Sequence, residues 1–369
     1  MIRKKILHII QSLDSGGCEN MMLRRLPLLN EFDQEIVTLR KEGELADSFR
    51  EKGIKVINIG QKNFLDIGSF VRIFREVKRI NPDVIVTYLF HADVVGRIFL
   101  QFVAHKPIVS FLVTTHNFPK YWPARLFERL SKYFAKQYFA NSEEVKKVYV
   151  NNFGVADNKI KIVHNGVNIY DYKISDERKG QVRQSLGINA NDFIICCVAN
   201  LNVNKGHKYL LEAFEKVSNA HDNLTLILIG EGPERHSMEN QVTNYKSKNK
   251  IKLLGRRRDV NELLAISSVF AFPSFFEGMS VALLEAMACG LACIVSDIPE
   301  NKALIKDGYS GLLFSKGDSV NLSEKILEVL NDEKLRWLLG VRAKEEVENN
   351  FSISASANKF QQEIKNILQ

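Results

Sequence analysis

The stretch VFAFPSFFEGMSVALLEAMACGLACIVSD, residues 269–297, decides the fold. It divides into an apolar strand ending at a proline (269–274), a loop (275–279), a helix (280–290) and a second strand (291–297). Ser280 is expected to cap the helix, and Gly290 lies just past its end. A strand, a crossing helix and another strand predict two parallel neighbours in one sheet.

The same alternation runs through the whole chain. Further strands are predicted at KILHII, EIVTL, IKVINI, DVIVTY and IVSFLVTT in the first half, and at FIICCVA, LTLILIG and KIKLLG in the second. Helical spacing appears between them, as in the segment whose apolar residues are Ile67, Phe70, Val71, Phe74 and Val77. The fold class is therefore α/β, with two doubly wound domains built on parallel sheets.

A polar, turn-rich stretch at 168–192 precedes a fresh strand at Phe193 and marks the expected break between the domains. In such sheets ligands bind beyond the carboxyl ends of the strands. The loops after strands, facing a cleft between the two domains, are the expected location of the site.

Composition places few other limits on the protein. The chain has 369 residues, of which 45% are hydrophobic, and its apolar runs fall far short of the ~18 residues of a membrane span. The start MIRKKILHII reads as a first strand of a cytosolic protein rather than as a secretion signal. The five cysteines have no zinc-type spacing and read as buried apolar residues, with a reactive Cys18 as the alternative.

The net charge of +8 lies in the first half of the chain. Residues 1–170 hold 26 Lys and Arg against 17 Asp and Glu, whereas the remainder holds 25 against 26. This excess predicts contact with an anionic membrane, a lipid phosphate or nucleic acid, or else a solvated basic surface.

Two glutamates, Glu277 and Glu285, flank the start of the helix in the opening stretch. On one helix they would lie about 12 Å apart, too far for an acid/base pair acting on one bond. With Glu277 in the loop, the pair could bind two parts of one ligand whose anionic group meets the N–H groups at the helix start. A ligand with hydroxyls at one end, an anionic group in the middle and further hydroxyls at the other end fits the description of a nucleotide sugar. The alternative is a local cap and a solvated helix residue.

Other loops carry residues suited to the same ligand. Gly16 and Gly17 follow the first strand and allow close backbone approach, or simply form a tight turn. Lys205 in NLNVNKGH lies where its ammonium can meet phosphate, unless it is merely solvated. Gly230, in LIGEGPER, does not complete a dinucleotide fingerprint.

Two histidines and one basic helix belong to the first half. His116 and, less directly, His91 follow strands, where a structural role is the alternative to a site role. The segment PARLFERLSKYFAK, residues 123–136, gathers Leu126, Phe127, Leu130, Tyr133 and Phe134 on one helical face. Its cations form another face, which is either solvated or docks on an anionic membrane or lipid phosphate: Arg125, Arg129, Lys132 and Lys136.

Together these motifs resemble the retaining glycosyltransferases of family 4, which have the GT-B fold. The resemblance rests on the Glu277 and Glu285 pair before LLEAMACG, and on weaker motifs in matching order over nearly the whole chain. These are the glycines at 16–17, HN at 116–117, NGV at 165–167, KG at 205–206, GEGP at 230–233 and SDIPEN at 296–301.

The resemblance implies an acceptor-binding domain at 1–170, completed by a C-terminal helix within about 352–369, and a donor-binding domain at 171–351. By matching position, Glu277 would contact sugar hydroxyls and Glu285 the ribose, while Lys205 and the backbone of Gly278, Met279, Ser280 and Val281 hold the diphosphate. Gly16 and Gly17 would close over it, and His116 would face the transferred sugar. No metal or other cofactor is expected.

Two positions depart from the family pattern. Asn200 stands where an arginine usually lies beside the diphosphate, so Arg256, Arg257 or Arg258 would have to compensate. Ser280 stands where proline is common. The remaining substrate-binding candidate is Gly230.

The expected function is transfer of a sugar, with retention of configuration, from a nucleotide sugar, UDP-linked for preference, to a glycolipid or polysaccharide precursor. The expected location is cytoplasmic, with peripheral contact to an anionic membrane, and no nucleic acid is expected as partner. The alternatives are another GT-B enzyme, such as a nucleotide-sugar epimerase or a phosphorylase, and a non-enzymatic basic protein that binds membrane or nucleic acid.

Overall fold

The computed structural model describes residues 3–63, 66–113 and 122–369. The chain divides into two compact units, Met1–Gly166 with Ile353–Gln369, and Val167–Ser352. The sequence had suggested divisions after residues 170 and 351, within a few residues of these.

The first unit is built on a seven-stranded, all-parallel sheet of order β3-β2-β1-β4-β5-β6-β7. Its strands are β1 Lys4–Ile10, β2 Phe32–Thr38, β3 Lys55–Asn58, β4 Val84–Tyr88, β5 Ile108–Leu112, β6 Gln137–Ala140 and β7 Ile160–Ile162. All five residues of β4 and of β5 are buried, because helices cover both faces of a parallel sheet.

The helices of this unit are α1 Gly17–Arg25, α2 Ala46–Glu51, α3 Ile67–Ile80, α4 Leu89–Val94, α5 Gln101–Ala104, α6 Trp122–Ser131 and α7 Glu143–Phe153. A π-helical segment, Val95–Leu100, joins α4 to α5. The predicted helix α3 is confirmed, but Ile67 and Val71 are exposed. Its buried side chains are Ser69, Ile73, Val77 and Ile80.

The C-terminal helix, Ile353–Leu368, packs into the core of the first unit. Its main polar anchor is Arg25, whose buried guanidinium donates to Ser356 Oγ at 3.0 Å and to the carbonyl of His164 at 3.1 Å. The same guanidinium lies over the ring of Phe360 at 5.7 Å. The last residues of the chain are thus held by a cation from the first helix.

The second unit is built on a six-stranded, all-parallel sheet of order β10-β9-β8-β11-β12-β13. Its strands are β8 Phe193–Val198, β9 Leu224–Ile229, β10 Ile251–Gly255, β11 Val269–Phe272, β12 Ala292–Ser296 and β13 Leu312–Phe314. Its helices are α8 Asp176–Ser185, α9 His207–Ser218, α10 Arg235–Thr243, α11 Val260–Ala265, α12 Val281–Ala288, α13 Pro299–Lys302, α14 Ser319–Asn331 and α15 Glu333–Asn350.

Every strand expected from the sequence is present, and the fold class is confirmed. Sequence reasoning missed β6, β7 and β13, which have only three or four residues each. Strands β3 and β11 also have four residues, but they lie within longer predicted segments, IKVINI and VFAFPS. None of the described helices is long and apolar enough to cross a membrane.

Candidate functional site

The strand order of the second unit reverses between β8 and β11. From β8 the chain builds outward through β9 and β10, and from β11 it builds outward the other way through β12 and β13. The loops that leave the carboxyl ends of β8 and β11 therefore lie side by side, and such a switch point is where parallel sheets bind ligands.

These two loops bring Lys205 and Glu277 together. The Lys205 ammonium forms an ion pair with Glu277 Oε1, and the two side chains are 20% and 10% exposed. Lys205 Nζ also lies 5.5 Å from the centre of the Phe272 ring. A cation and a carboxylate, both largely covered, thus stand at the switch point of the sheet.

The two loops approach closely because position 206 is glycine. Gly206 has φ +65°, and a Cβ there would lie 2.1 Å from the carbonyl oxygen of Pro273. The amide of Phe275 donates to the carbonyl of Asn204 at 2.8 Å, which fixes one loop against the other. The position of Lys205 next to Glu277 is therefore set by backbone contacts.

Helix α12 begins immediately after the Glu277 loop. The predicted cap is confirmed, since Ser280 Oγ accepts from the amide of Leu283 at 3.2 Å. Gly290 adopts φ +79° just past the helix end, also as expected. Amides of the first helical turn have no acceptor within the helix, so they and the helix dipole favour an anion at this end.

The two glutamates of the motif occupy different elements. Glu277 lies in the loop, whereas Glu285 lies within α12 and is 8% exposed. Of the backbone-binding candidates, Gly278 and Met279 complete the loop, Met279 being buried, and Val281 opens the helix.

Gly230 follows β9, beside the end of β8. A Cβ at this position would lie 2.0 Å from the carbonyl oxygen of Ala199. Packing therefore requires a glycine at this position, because only a residue without a side chain lets the loop after β9 lie against the loop after β8.

In the first unit, the strand order reverses between β1 and β4. Both glycines were predicted in the loop after the first strand; Gly16 caps α1 and Gly17 is the first residue of that helix. A Cβ at Gly16 would lie 2.5 Å from Glu19 Oε2, so the Glu19 carboxyl lies against the helix start. Burial, with Asp14 nearby, raises the pKa of Glu19 to about 7.

Sequence reasoning missed Glu19. The available signal was its position three residues after the capping residue, the spacing at which a glutamate reaches back to a helix start. The neighbouring Cys18 has a pKa raised well above its usual value by burial. A raised pKa favours the neutral thiol, which supports the apolar interpretation of Cys18 over a reactive thiolate.

His91 lies in α4 and is 6% exposed, with Nε2 2.9 Å from Gln61 Oε1. Burial lowers its pKa to about 4, so it is neutral near pH 7. Leu89, two residues before it, has φ +68°, which is unusual for a branched residue. His116 lies outside the described residues.

Comparison with known proteins matches both units to one class of enzyme. The model of glycosyl transferases group 1 matches residues 178–346, and that of glycosyltransferase family 4 matches residues 21–170. The chain belongs to these glycosyltransferases. Two relatives are similar over most of their length.

One relative is the UDP-Gal:alpha-D-GlcNAc-diphosphoundecaprenol alpha-1,3-galactosyltransferase of Escherichia coli, 25% identical, with 96% of this chain and 95% of the relative covered. Another is the N,N'-diacetylbacillosaminyl-diphospho-undecaprenol alpha-1,3-N-acetylgalactosaminyltransferase of Campylobacter jejuni, 27% identical, with 86% and 89% covered. Among solved structures, HepE of Anabaena in complex with UDP and glucose has a TM-score of 0.89 at 22% identity, covering 99% of this chain and 100% of HepE. The last comparison establishes the shared GT-B fold.

The glycosyltransferase departs from the family pattern at Asn200, which is exposed just past the end of β8. The arginines considered as replacements follow β10, which β9 separates from β8. Arg257 already binds Asp259 through two hydrogen bonds, Nε to Oδ1 at 2.8 Å and a terminal nitrogen to Oδ2 at 2.6 Å. Arg256 and Arg258 are exposed.

The cations of the 123–136 segment divide into two kinds. Arg129 Nε donates to the carbonyl of Asn152 at 3.3 Å, and Lys132 Nζ to that of Gly154 at 2.9 Å, so both bind the carboxyl end of α7. Arg125 and Lys136 are exposed. The predicted helix also ends earlier, at Ser131.

Proposed function

We propose that this glycosyltransferase moves a sugar, with retention of configuration, from a UDP-sugar to an acceptor carried on a lipid diphosphate or a polysaccharide precursor. The observation that carries the proposal is the ion pair of Lys205 and Glu277 at the switch point, beside the start of α12. The choice of donor and acceptor is supported by the relatives, whose names specify UDP-galactose and diphosphoundecaprenol-linked sugars.

In this proposal the second unit binds the donor. The Lys205 ammonium and the amides at the start of α12, from Gly278 to Val281, oppose the charge of the diphosphate. Glu277 accepts hydrogen bonds from the sugar hydroxyls, and the buried Glu285 binds the ribose. Ribose hydroxyls can donate hydrogen bonds to the Glu285 carboxylate.

The reaction breaks the bond between the anomeric carbon and the β-phosphate oxygen, and forms a bond from that carbon to the acceptor oxygen on the same face. The departing phosphate oxygen takes the proton of the acceptor hydroxyl. Negative charge grows on the leaving phosphate, and Lys205 with the helix start stabilises it. Removing one such donor typically costs about 3 kcal/mol of barrier.

The first unit binds the acceptor, and the family resemblance assigns Gly16 and Gly17 to the diphosphate and His116 to the transferred sugar. His91 is neutral and largely covered, which suits a positioning role better than a charged one. An acceptor on a lipid places the enzyme in the cytoplasm, in peripheral contact with the inner face of the membrane.

Two measurements test the proposal. Calorimetry with UDP, GDP and ADP should give binding to UDP, and Lys205→Met should weaken it. Lys208→Met is the matched control, since Lys208 lies on the adjoining helix and is 70% exposed. Flat calorimetry with all three nucleotides would overturn the proposal.

The second measurement is transfer from UDP-sugars to a synthetic acetylglucosaminyl-diphospho-lipid, with the anomeric configuration of the product read by NMR. Retention supports the proposal and inversion contradicts it. A changed sugar nucleotide formed without acceptor would identify an epimerase, and phosphate-dependent cleavage a phosphorylase.

A further inference from the structure

Helix α6 of the first unit packs with its polar side inward. Glu128 and Ser131 are 2% and 1% exposed. Both bind Arg97, which is fully buried: its guanidinium donates to Glu128 Oε2 at 2.5 Å and to Ser131 Oγ at 3.2 Å. Arg97 also lies 3.2 Å from the buried carboxylate of Asp93. The helix is therefore fixed to its unit by a buried ionic cluster.

The apolar side of α6 consequently faces outward. Leu126 and Leu130 are 45% and 61% exposed, and Tyr133, just beyond the helix, is 72% exposed. The sequence pattern had suggested either a core-facing apolar side or a cationic docking face. The structure divides that side: Leu126, Leu130 and Tyr133 are accessible. Phe127 and Phe134 are half-buried, against the rings of Phe90 and Phe102.

The neighbouring helical segment adds to this surface. Ile98 and Phe102, four residues apart, are 45% and 62% exposed. The segment lies against α6, because Arg97 binds Glu128 and the rings of Phe102 and Phe134 are 5.3 Å apart. We call the five exposed side chains the apolar ridge: Ile98, Phe102, Leu126, Leu130 and Tyr133.

The segment that carries the apolar ridge is rich in positively charged residues. Residues 95–136 contain seven Lys and Arg and a single acidic residue, Glu128, which is buried against Arg97. Of the cations, Arg125 and Lys136 are exposed, and so is Arg129, although it also donates to the carbonyl of Asn152. Exposed apolar side chains flanked by cations, in a segment whose one acidic residue is buried, match an anionic lipid interface, where apolar side chains enter the headgroup region and cations meet phosphates.

We propose that the apolar ridge and its exposed cations dock this protein on the surface of an anionic phospholipid bilayer. The inference deepens the proposed function and rests on it for the peripheral membrane contact: it names the surface that makes this contact, whatever sugar is transferred. A second protein copy is a less suitable occupant, since two like copies would bring the same cations together.

The test uses the full chain and vesicles. Flotation with phosphatidylcholine vesicles containing about one-third phosphatidylglycerol should recover the protein, and pure phosphatidylcholine should not. Leu126→Ser with Leu130→Ser should reduce binding at least about tenfold. Arg125→Glu with Lys136→Glu should reduce it by about fivefold for each charge removed, and added salt should weaken wild-type binding.

Trp337→Ser is the matched control, since Trp337 is an apolar side chain 64% exposed on α15 of the second unit. It should bind vesicles like the wild type. All variants should keep the wild-type thermal unfolding and UDP affinity, because the substituted residues are exposed and none belongs to the loops that carry Lys205 and Glu277.

Three results would overturn the inference: no wild-type binding to anionic vesicles, equal binding by the leucine variant, or a dimer in solution that the leucine variant dissociates. Vesicle binding without nucleotide binding would instead overturn the proposed function and leave this inference standing. The two hypotheses can therefore fail separately.

Discussion

Glu277→Gln should separate donor binding from transfer. In the unliganded protein Lys205 is neutralised by Glu277, both side chains being largely covered. A diphosphate bound to the other side of the ammonium would lie about 6 Å from the carboxylate. At an effective dielectric constant of about 20 to 40 the repulsion is about 1–3 kcal/mol. Because the site is partly exposed, the low end of this energy range applies. Removing about 1 kcal/mol of repulsion should let Glu277→Gln bind UDP about fivefold more tightly.

Transfer should change in the opposite direction. The substitution replaces a charged acceptor of sugar hydroxyl hydrogen bonds by a neutral one, at a cost of about 1.5–3 kcal/mol. The turnover of saturated enzyme should therefore fall roughly tenfold to a hundredfold. Lys205→Met, in contrast, should weaken UDP binding as well as transfer.

Calorimetry with UDP and initial rates at saturating donor give the two quantities. Glu212→Gln is the matched control, because Glu212 belongs to a second, more exposed Lys–Glu pair with Lys208 on α9. A Glu277→Gln variant that bound UDP tenfold more weakly and transferred sugar at the wild-type rate would refute the reasoning.

Three further outcomes concern stability. Gly206→Ala should destabilise the second unit and abolish most transfer, because a Cβ there would collide with a backbone oxygen 2.1 Å away at φ +65°. Gly180→Ala should instead stabilise that unit by about 0.5–1 kcal/mol, because Gly180 lies in α8 with open space around it. Thermal unfolding should therefore give a lower midpoint for Gly206→Ala and a higher one for Gly180→Ala. Arg97→Met should lower the free energy of unfolding by about 3–5 kcal/mol, because it leaves buried carboxylates without their cation. Glu128→Gln should lower it much less, since it leaves no such carboxylate. Hydrogen exchange of the α6 amides measures both losses, and equal losses would contradict this. Glu19 has a folded-state pKa raised to about 7 from 4.5, so its contribution to stability is complete below pH 4.5 and is lost as pH rises through 7. Glu19→Gln should remove that part of the stability–pH profile, and an unchanged profile in urea titrations would count against it.

The sequence by itself determined the architecture. Parallel strands buried on both faces must be continuous apolar runs, so ten of the strands were visible as such, together with helices that connect them. Local chemistry was equally readable: the cap at Ser280, the turn at Gly290 and the positions of Glu277 in a loop and Glu285 in a helix depend on residues a few positions apart.

Tertiary structure decided what depends on distant residues. Lys205 and Glu277 are 72 positions apart and meet because the sheet places β11 beside β8, a strand order that no local pattern encodes. Likewise, the apolar spacing of α6 says that one side differs from the other, but not which side is buried. Arg97, 31 residues before Glu128, decides it, since a buried guanidinium requires its carboxylate partners and turns the leucines outward.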